Sequence, residues 1–500
     1  MSETEHYALA VMLASIAALA AVLLNRLTER IKVPTPLLML VGAAVVAHVI
    51  PTFRMLDVLT VEHVVTIALV LILFDGGIHI GWRRFRAAAV PIGVVGVIGT
   101  FLTAGAGSLL LHVAFGLDWY LALLVATAVA PTDPAVVFSV LGQREIRGRS
   151  STILEGESGA NDPVGIALMG SLLAAGALTW VAAGQVAGDF ALQMLIGLAV
   201  GVVGGRALLW FTRRVPLPNE ALYPLRTVFS ALALYGVGTL AHGSGFLAVF
   251  VAGIVISDPG APYKREVERF HSVLASLGEI VAFLVLGLTV DLAVLVRTDV
   301  WVPGLVLGVG LAVVIRPLFA GLCLVPARLR PNELTFVLFA GLKGAVPILL
   351  GELLRAARVP QAERLYGIVI VVVVFSVLVQ GSLVPAAVRL LRLPTRTIQP
   401  EPWSLGVRLR DEPDGVHRLR VTAGAPADGA TIADAADKVD DMWISIVVRD
   451  RILVAVRDDT KLEAGDEIVV LADPDLHDVL AKLFEVPRQK GSSGSPRSSA

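Results

Sequence analysis

Long apolar runs are the feature that most constrains the fold of this chain. A helix that crosses a bilayer needs about 20 mostly apolar residues, and residues 1–393 are largely a succession of such runs. Only 17% of the chain is charged, against roughly 25% in soluble domains. The pattern predicts an all-α polytopic membrane protein. Thirteen candidate spans lie at about 7–25, 35–50, 61–79, 88–113, 119–141, 152–178, 186–212, 222–240, 244–257, 272–292, 300–325, 333–355 and 363–391.

The charges between the runs predict the orientation of the chain, because cytoplasmic connections are rich in Lys and Arg. With the N-terminus outside, most basic residues fall in inner connections such as 83–86, 144–149 and 264–269. The outer connection 355–364 is an exception, since it also carries arginines. We therefore expect an outer N-terminus, a cytoplasmic C-terminus and a cell-membrane location. The first run lacks the basic start of a signal peptide and is expected to remain as a membrane helix.

Ionisable residues inside the spans are costly, so each needs a partner or a function. The predicted spans hold both acids and bases at this depth, and the acids are in excess. Because full ionisation would leave uncompensated negative charge in a low dielectric, protons or bound cations must balance it. The residues in question are Asp75, Asp133, Glu157, Asp162, Arg316 and Lys343.

The segment "ESGAND" concentrates oxygen-bearing side chains at the head of the sixth run. Glu157 and Asn161 are four residues apart, as are Ser158 and Asp162, so one helix face carries all four. Pro163 removes a backbone donor and leaves a carbonyl oxygen one turn earlier without its usual partner. Carboxylate, amide, hydroxyl and carbonyl oxygens are the ligands of hard cations. This face is therefore a candidate cation site.

Two of the runs contain helix-breaking residues. The fifth holds "APTDPA", with two prolines, and the twelfth holds Gly341, Gly344 and Pro347. Spans seven apart in sequence run in opposite directions, and two broken helices in inverted halves are typical of secondary transporters. A break brings together helix ends of opposite partial charge. Asp133 is expected to compensate the positive ends, and Lys343 the negative ones.

The ordered motifs "TDP", "ESGAND" and "GLKGAV", with "LFDGGI" and "GFLAVFVAGIVIS", resemble the monovalent cation:proton antiporter family of the NhaP and sodium/proton-exchanger type. The resemblance covers about residues 7–393. It implies an inverted-repeat core, alternating access and a homodimer. It implies no cofactor beyond the transported monovalent cation and proton.

The resemblance also implies roles for individual residues. Asp162 resembles the aspartate that binds a proton or a cation in turn, and Asn161 its asparagine neighbour. Glu157 resembles a carboxylate that pairs with an arginine, here taken as Arg316. Lys343 stands where many members have arginine, and Asp75 where many have glutamate. The positions that resemble ligands or supports of the cation are Thr132, Asp133, Ser158 and Asp75.

The last hundred residues differ in kind from the rest of the chain. Residues 405–486 alternate charged and β-branched residues, which predicts a small cytoplasmic α+β domain after a linker at 394–404. The stretch "DTKLEAGDEIVVLADPDLHDVL" is similar to the TrkA C-terminal (RCK_C) domain, which implies regulation of potassium systems by a small ligand. A Gly-rich dinucleotide fingerprint is absent from the sequence, so NAD binding is not predicted. The tail 487–500 is low in complexity and is expected to be disordered.

Taken together, these features predict a K⁺/H⁺ antiporter that serves pH and cation homeostasis, with a Na⁺/H⁺ antiporter as the alternative. A cation channel gated by the C-terminal domain is a further alternative, but the sequence has no filter-like loop. An enzyme is not predicted, because a nucleophile with a matching base is not evident. Nucleic acid is not an expected partner, because basic tracts with aromatic residues are absent from the sequence.

Overall fold

The computed structural model describes most of the chain in two compact units, Met1–Ser404 and Leu405–Ala500. The described residues are 34–50, 57–141, 144–146, 148–257, 263–397, 415–439, 442–450 and 452–485, with scattered helical residues between 12 and 23. Most of the predicted first span, most of the predicted linker and the tail 487–500 therefore lie outside the described residues.

The first unit is built almost entirely from helices, labelled α1 to α17 in chain order. Their bounds are α1 Thr35–Val49, α2 Val58–Gly93, α3 Thr100–Phe115, α4 Trp119–Ala128, α5 Pro134–Leu141, α6 Arg149–Ala175, α7 Trp180–Arg214, α8 Leu222–Leu240, α9 Gly245–Ile256, α10 Lys264–Thr289, α11 Leu292–Leu295, α12 Thr298–Gly310, α13 Arg316–Leu324, α14 Pro331–Phe339, α15 Ala345–Ala356, α16 Ala362–Phe375 and α17 Ser382–Leu390. π-helical turns at Val94–Gly99, Leu311–Ile315 and Ser376–Gly381 join consecutive helices, and a 3₁₀ turn at Val325–Ala327 follows α13. Two short strands, β1 Arg144–Ile146 and β2 Thr395–Thr397, pair antiparallel.

Several of these helices are long and apolar enough to cross a membrane by length and composition. They are Val58–Phe115, Trp180–Arg214, Lys264–Thr289, Thr298–Ala327 and Ala362–Leu390, and the shorter apolar helices are Thr35–Val49, Trp119–Ala128 and Gly245–Ile256. The predicted connection at 80–87 falls where two helical segments, together labelled α2, meet across a kink. The chain bends there at Gly81, whose φ of 66° and ψ of 157° suit glycine and few other residues.

Small residues let the helices around α9 approach one another closely. Gly197, Gly201 and Gly205 form one stripe of α7, and a Cβ at any of them would crowd α9. Helix α9 also packs against α6, where the ring of Phe250 in α9 lies against Gly159. Close contact through small residues is the usual way in which helices pack in membranes. These contacts fix the position of α6, which carries the "ESGAND" segment.

The second unit is an α+β domain, as the sequence predicts. Its four strands form an antiparallel sheet in the order β3-β6-β4-β5. The bounds are β3 Val416–Arg420, α18 Ile432–Ala436, β4 Trp443–Arg449, β5 Ile452–Val454, β6 Glu467–Leu471 and α19 His477–Phe484. The predicted hairpin of "ISIVV" and "ILVAV" is the β4–β5 pair. Buried Val447, Ile468 and Phe484 belong to its apolar core.

Candidate cation and proton site

Two non-helical segments meet inside the first unit. α4 ends at Ala128 and α5 begins at Pro134, while α14 ends at Phe339 and α15 begins at Ala345. The N–H of Asp133, in the first segment, donates to the carbonyl oxygen of Leu342, in the second, at 2.8 Å. Four helix ends therefore converge on one small region of the protein.

Asp133 lies at two helix N-termini. Its Oδ1 accepts a hydrogen bond of 2.8 Å from the N–H of Ala135, in the first turn of α5. The same carboxylate packs against Gly344, the N-cap residue of α15, where a Cβ would overlap it. Helix N-termini carry partial positive charge. Asp133 thus compensates both positive ends, and this placement requires glycine at position 344.

Lys343 lies at the C-terminal end of α4. Its Nζ donates to the carbonyl oxygens of Ala130 at 3.0 Å and Pro131 at 3.1 Å. The residue is buried, and its own N–H donates to Oγ of Ser376 at 3.1 Å. Because a helix C-terminus carries partial negative charge, the ammonium group compensates this end.

Arg316 compensates the remaining helix end, that of α14, and also pairs with Glu157. Its Nη1 and Nη2 donate to the two carboxylate oxygens of Glu157 at 2.6 and 2.9 Å. Nε donates to the carbonyl oxygen of Leu338 at 3.0 Å, and Nη2 to that of Val337 at 3.1 Å. Both ionic side chains are buried. The hydrogen bonds of this ion pair connect α6, which carries Glu157, to α13 and α14.

Asn161 connects α6 to the first break. Its Nδ2 donates to Oγ1 of Thr132 at 2.8 Å, and its Oδ1 accepts from the N–H of Thr132 at 3.3 Å. The amide therefore holds the loop between α4 and α5 in place, and it orients the next residue of α6, Asp162.

Asp162 differs from the other buried acids of this region. It is 7% exposed, the hydroxyl of Ser158 lies one turn earlier on the same helix, and the charges of Asp133 and Lys343 act on it. Within the described part of the chain it forms no ion pair. A buried carboxylate that lacks a fixed cationic partner is stabilised by a proton or by a bound cation.

Asp75 is held elsewhere. Its Oδ1 accepts a hydrogen bond from Oγ of Ser272 at 3.3 Å and lies 3.2 Å from Nδ1 of His79. The contacts recorded for it join α2 to α10, and among the described residues none joins it to Asp162. Asp75 therefore joins α2 to α10 through Ser272, and its role as a cation ligand stays a prediction.

The predicted spans also contain Glu279 and Glu352, which the motifs did not identify as candidates. Glu352 is buried and accepts two hydrogen bonds, of 2.9 and 3.0 Å, from Nη1 of Arg355, which also bonds Glu363. Glu352 and Glu363 therefore balance the charge of Arg355, in the connection predicted to depart from the charge rule. Glu279 is different, since its Oε1 is buried and accepts no hydrogen bond. Its position in the middle of an apolar run was the signal that should have found it.

Comparison with known proteins identifies the class. Residues 13–390 match the family model described as "Sodium/hydrogen exchanger, transmembrane", and residues 416–485 match the TrkA-C domain. The chain therefore belongs to the sodium/hydrogen exchanger family, and the resemblance noted from its motifs is confirmed.

Individual relatives agree with that assignment. The chain is 36% identical to the K(+)/H(+) antiporter NhaP of Alkalimonas amylolytica over 66% of its own length and 57% of that protein. It is 29% identical to the K(+)/H(+) antiporter NhaP2 of Shewanella sp. (strain MR-4) over 95% of its length and 84% of that protein. Its fold is similar to that of the sodium proton antiporter MjNhaP1 from Methanocaldococcus jannaschii, with a TM-score of 0.65 and 18% identity. That match covers 77% of this chain and 98% of the other.

Proposed function

We propose that this protein is a K⁺/H⁺ antiporter in which Asp162 binds a proton and a cation in turn. One negative charge can be neutralised by either ion but not by both, and this exclusion couples the two fluxes. The inward-facing and outward-facing states then exchange one ion for the other without net charge movement.

The observation that carries the proposal is the contrast between Asp162 and the charges around it. Arg316 is bonded to Glu157 and to carbonyl oxygens of α14, Lys343 to carbonyl oxygens of the break that follows α4, and Asp133 to the N-terminus of α5. Since their groups are already engaged, these residues hold the break in shape. Asp162 retains a carboxylate for the ion, and Ser158, Thr132 and Asn161 bring further oxygens to its vicinity. These residues are the proposed site.

Potassium is the proposed cation for two reasons. Relatives that cover most of this chain are named K(+)/H(+) antiporters, and the TrkA-C domain implies a potassium system. Sodium is the second candidate, because the Low-affinity Na(+)/H(+) antiporter NhaS1 of Synechocystis is 26% identical over 70% of this chain. Oxygen ligands alone accept either ion.

The architecture that we propose extends beyond the described helices. It comprises thirteen spans with an outer N-terminus, inverted repeats with α4–α5 and α14–α15 as the broken crossing helices, and a homodimer in the cell membrane. The proposed domains are 1–393 for transport, 394–404 as a linker, 405–486 as a cytoplasmic regulatory domain that responds to a small ligand, and 487–500 as a tail.

Reconstitution into sealed proteoliposomes with a pH-sensitive dye inside tests this function. An outward K⁺ gradient should acidify the lumen, and the rate should not depend on a valinomycin-clamped membrane potential. Na⁺ and Li⁺ gradients, compared over pH 6 to 9, rank the cations. Faster exchange with Na⁺ would replace the proposed cation. Conductive K⁺ flux without proton movement would replace antiport by a channel.

A further inference from the structure

Two histidines of the second unit face each other where α19 packs against the sheet. His417 lies in β3 and is 7% exposed, on the same face of the strand as the buried Leu419. His477 is the first residue of α19 and is exposed. The Nδ1 atoms of the two imidazole rings are 3.4 Å apart. The pair therefore brings two nitrogen ligands from separate elements to one point at the surface of the unit.

Backbone contacts at both ends of α19 fix this arrangement. The helix follows a 3₁₀ turn, Pro474–Leu476, and Oδ1 of the N-cap residue Asp473 accepts a hydrogen bond of 2.9 Å from the N–H of Asp475. At the other end of the helix, the N–H of Thr422 donates to the carbonyl oxygen of Phe484 at 3.0 Å. Because Thr422 lies just after β3, these contacts keep the first residue of α19 beside that strand.

A hydrogen bond determines which nitrogen of the His417 ring carries the proton. Nε2 lies 3.1 Å from the carbonyl oxygen of Asp473. Because a carbonyl oxygen only accepts, Nε2 is the donor, and Nδ1 of the neutral ring presents a lone pair toward His477. Histidines that bind metals usually donate their second nitrogen in this way to a carbonyl or carboxylate oxygen, which orients the ring. His417 therefore has the tautomer and the support of a metal ligand.

The separation of the two nitrogens fits a shared metal ion better than a shared proton. At 3.4 Å they are farther apart than the roughly 2.7–3.2 Å of ordinary N–H···O hydrogen bonds. Two nitrogens bound to a tetrahedral Zn²⁺ at about 2.0–2.1 Å lie about 3.3–3.4 Å apart. Three exposed acids within four residues of His477 add the negative charge that attracts a cation. They are Asp473, Asp475 and Asp478.

We propose that His417 and His477 form a binding site for a divalent transition metal, with Zn²⁺ as the ion that the geometry fits. Each ring binds through Nδ1, and the metal joins β3 to α19. Among the described residues, no third His, Cys, Asp or Glu completes a metal-binding group with the pair, so water takes the other positions and the ion exchanges with solution. Imidazole suits transition metals, whereas Mg²⁺ and Ca²⁺ take oxygen ligands. Binding requires no ion gradient, so the inference is independent of the proposed antiport function.

Calorimetric titration of the full-length protein in detergent with Zn²⁺ tests the site, after removal of bound metal and of any polyhistidine tag. The variants are His417→Gln and His477→Gln, and the matched control is His63→Gln, which removes an exposed histidine of α2. We expect the wild type and His63→Gln to bind one Zn²⁺ per chain that neither variant of the pair binds. Titration with Mg²⁺ should show no such binding in any of the four proteins.

Limited proteolysis of the second unit distinguishes this site from Zn²⁺ bound elsewhere on the surface. The proposed ion binds only when β3 and α19 are folded together, so it opposes opening of the unit. At ten times its dissociation constant, Zn²⁺ should slow cleavage of the second unit about tenfold in the wild type and in His63→Gln. It should leave the cleavage rate of His477→Gln unchanged.

Equal Zn²⁺ binding by all four proteins would show an adventitious ion only and would overturn the inference, as would absence of Zn²⁺ binding by the wild type. If His417→Gln does not fold, His477→Gln decides alone, because its side chain is exposed. Loss of the bound ion in a folded His477→Gln supports the site, and retained binding contradicts it. Absence of K⁺/H⁺ exchange would overturn the proposed function without affecting this test.

Discussion

Glu157 and Asp162 are two buried acids on one helix, five residues apart, and their surroundings differ completely. Glu157 receives two hydrogen bonds from Arg316, which is itself bonded to two carbonyl oxygens of α14. Asp162 is as deeply enclosed but has only the Ser158 hydroxyl and the fields of Asp133 and Lys343. The first environment fixes a charge permanently, and the second leaves a charge to be neutralised by an ion.

Both acids are buried, so burial does not distinguish a structural acid from a functional one. The partners of each carboxylate make that distinction. Breaking a saturated buried ion pair strands a charge and destabilises the fold. Removing an acid whose counter-ion comes from solution removes a binding group and spares the fold. The two acids should therefore respond oppositely when function and stability are measured on the same variants.

The largest expected effect on transport is that of Asp162→Asn. An amide cannot exchange a proton near neutral pH and offers a cation no negative charge. We therefore expect the exchange rate to fall below about 1% of wild type, which is a rise of about 3 kcal/mol in the activation free energy of exchange. Dye-based exchange assays and size-exclusion profiles of the same preparation measure both properties. The control is Asp189→Asn, the same change at an exposed site in α7, which should transport normally. Wild-type rates in Asp162→Asn would refute the assignment.

Arg316→Ala should have the largest effect on stability. It leaves Glu157 ionised without a partner and two carbonyl oxygens of α14 without donors, a loss of about 3–5 kcal/mol for a broken buried pair. Thermal unfolding in detergent measures this loss of stability. The double change Glu157→Gln with Arg316→Gln removes both charges and should recover part of the loss. If the double variant is less stable than each single one, the pair is not the stabilising element.

Truncation after residue 397 should have a smaller effect, confined to regulation. The broken helices and the proposed ligands all lie in the first unit, so exchange should persist. An appended domain can bias a transporter only through differential contacts with its states, so the dependence of exchange on pH or on a ligand should change. Exchange against pH at matched membrane levels compares the two proteins. Superimposable curves argue against regulation, and loss of transport in a folded truncation would show that the transport unit is larger than proposed.

The smallest expected effect is that of Asp466→Asn in the second unit. Burial raises the pKa of Asp466, but hydrogen bonds from Arg449 and from the Glu463 N–H outweigh it and keep the pKa below its usual value. Because the pKa of Asp466 is lower in the folded state, its ionised form stabilises the domain. This contribution is complete at pH values above the ordinary pKa of about 3.9, and it is lost as the pH falls through the pKa of the folded state.

Limited proteolysis of the full-length protein measures how Asp466→Asn changes the stability of the second unit. Asp466→Asn should be cleaved faster than wild type in the second unit at pH 7, and should lose less protection than wild type on acidification toward pH 3. Asp459→Asn, an exposed neighbour, is the control and should match the wild type. Equal cleavage of all three proteins at pH 7 would show that the Arg449–Asp466 contact contributes little.

The sequence predicted those parts of the fold that depend on local pattern. Apolar runs gave the helices, prolines and glycines gave the breaks at 129–133 and 340–344, and alternation gave the β4–β5 hairpin. The predicted connection at 80–87 contains Gly81, whose non-helical φ and ψ divide α2 into two helical segments.

The residues of the site could be predicted from the sequence, but their contacts could not. Spacing placed Ser158, Asn161 and Asp162 on one face, but it could not show that Arg316 also bonds the end of α14 or that Asp75 turns to Ser272. Those contacts depend on how distant helices pack. The same holds for Glu279, whose Oε1 is buried without a hydrogen-bond partner only because of how α10 packs.

Proton release on cation binding tests the central claim most directly. Purified protein in weakly buffered detergent solution, held at a pH where the site is protonated, is mixed with K⁺ while a pH dye is followed. Because one carboxylate holds either ion, we predict release of about one proton for each cation bound by the wild type, and none by Asp162→Asn. Equal release by both proteins, or cation binding by the wild type without proton release, would contradict the account.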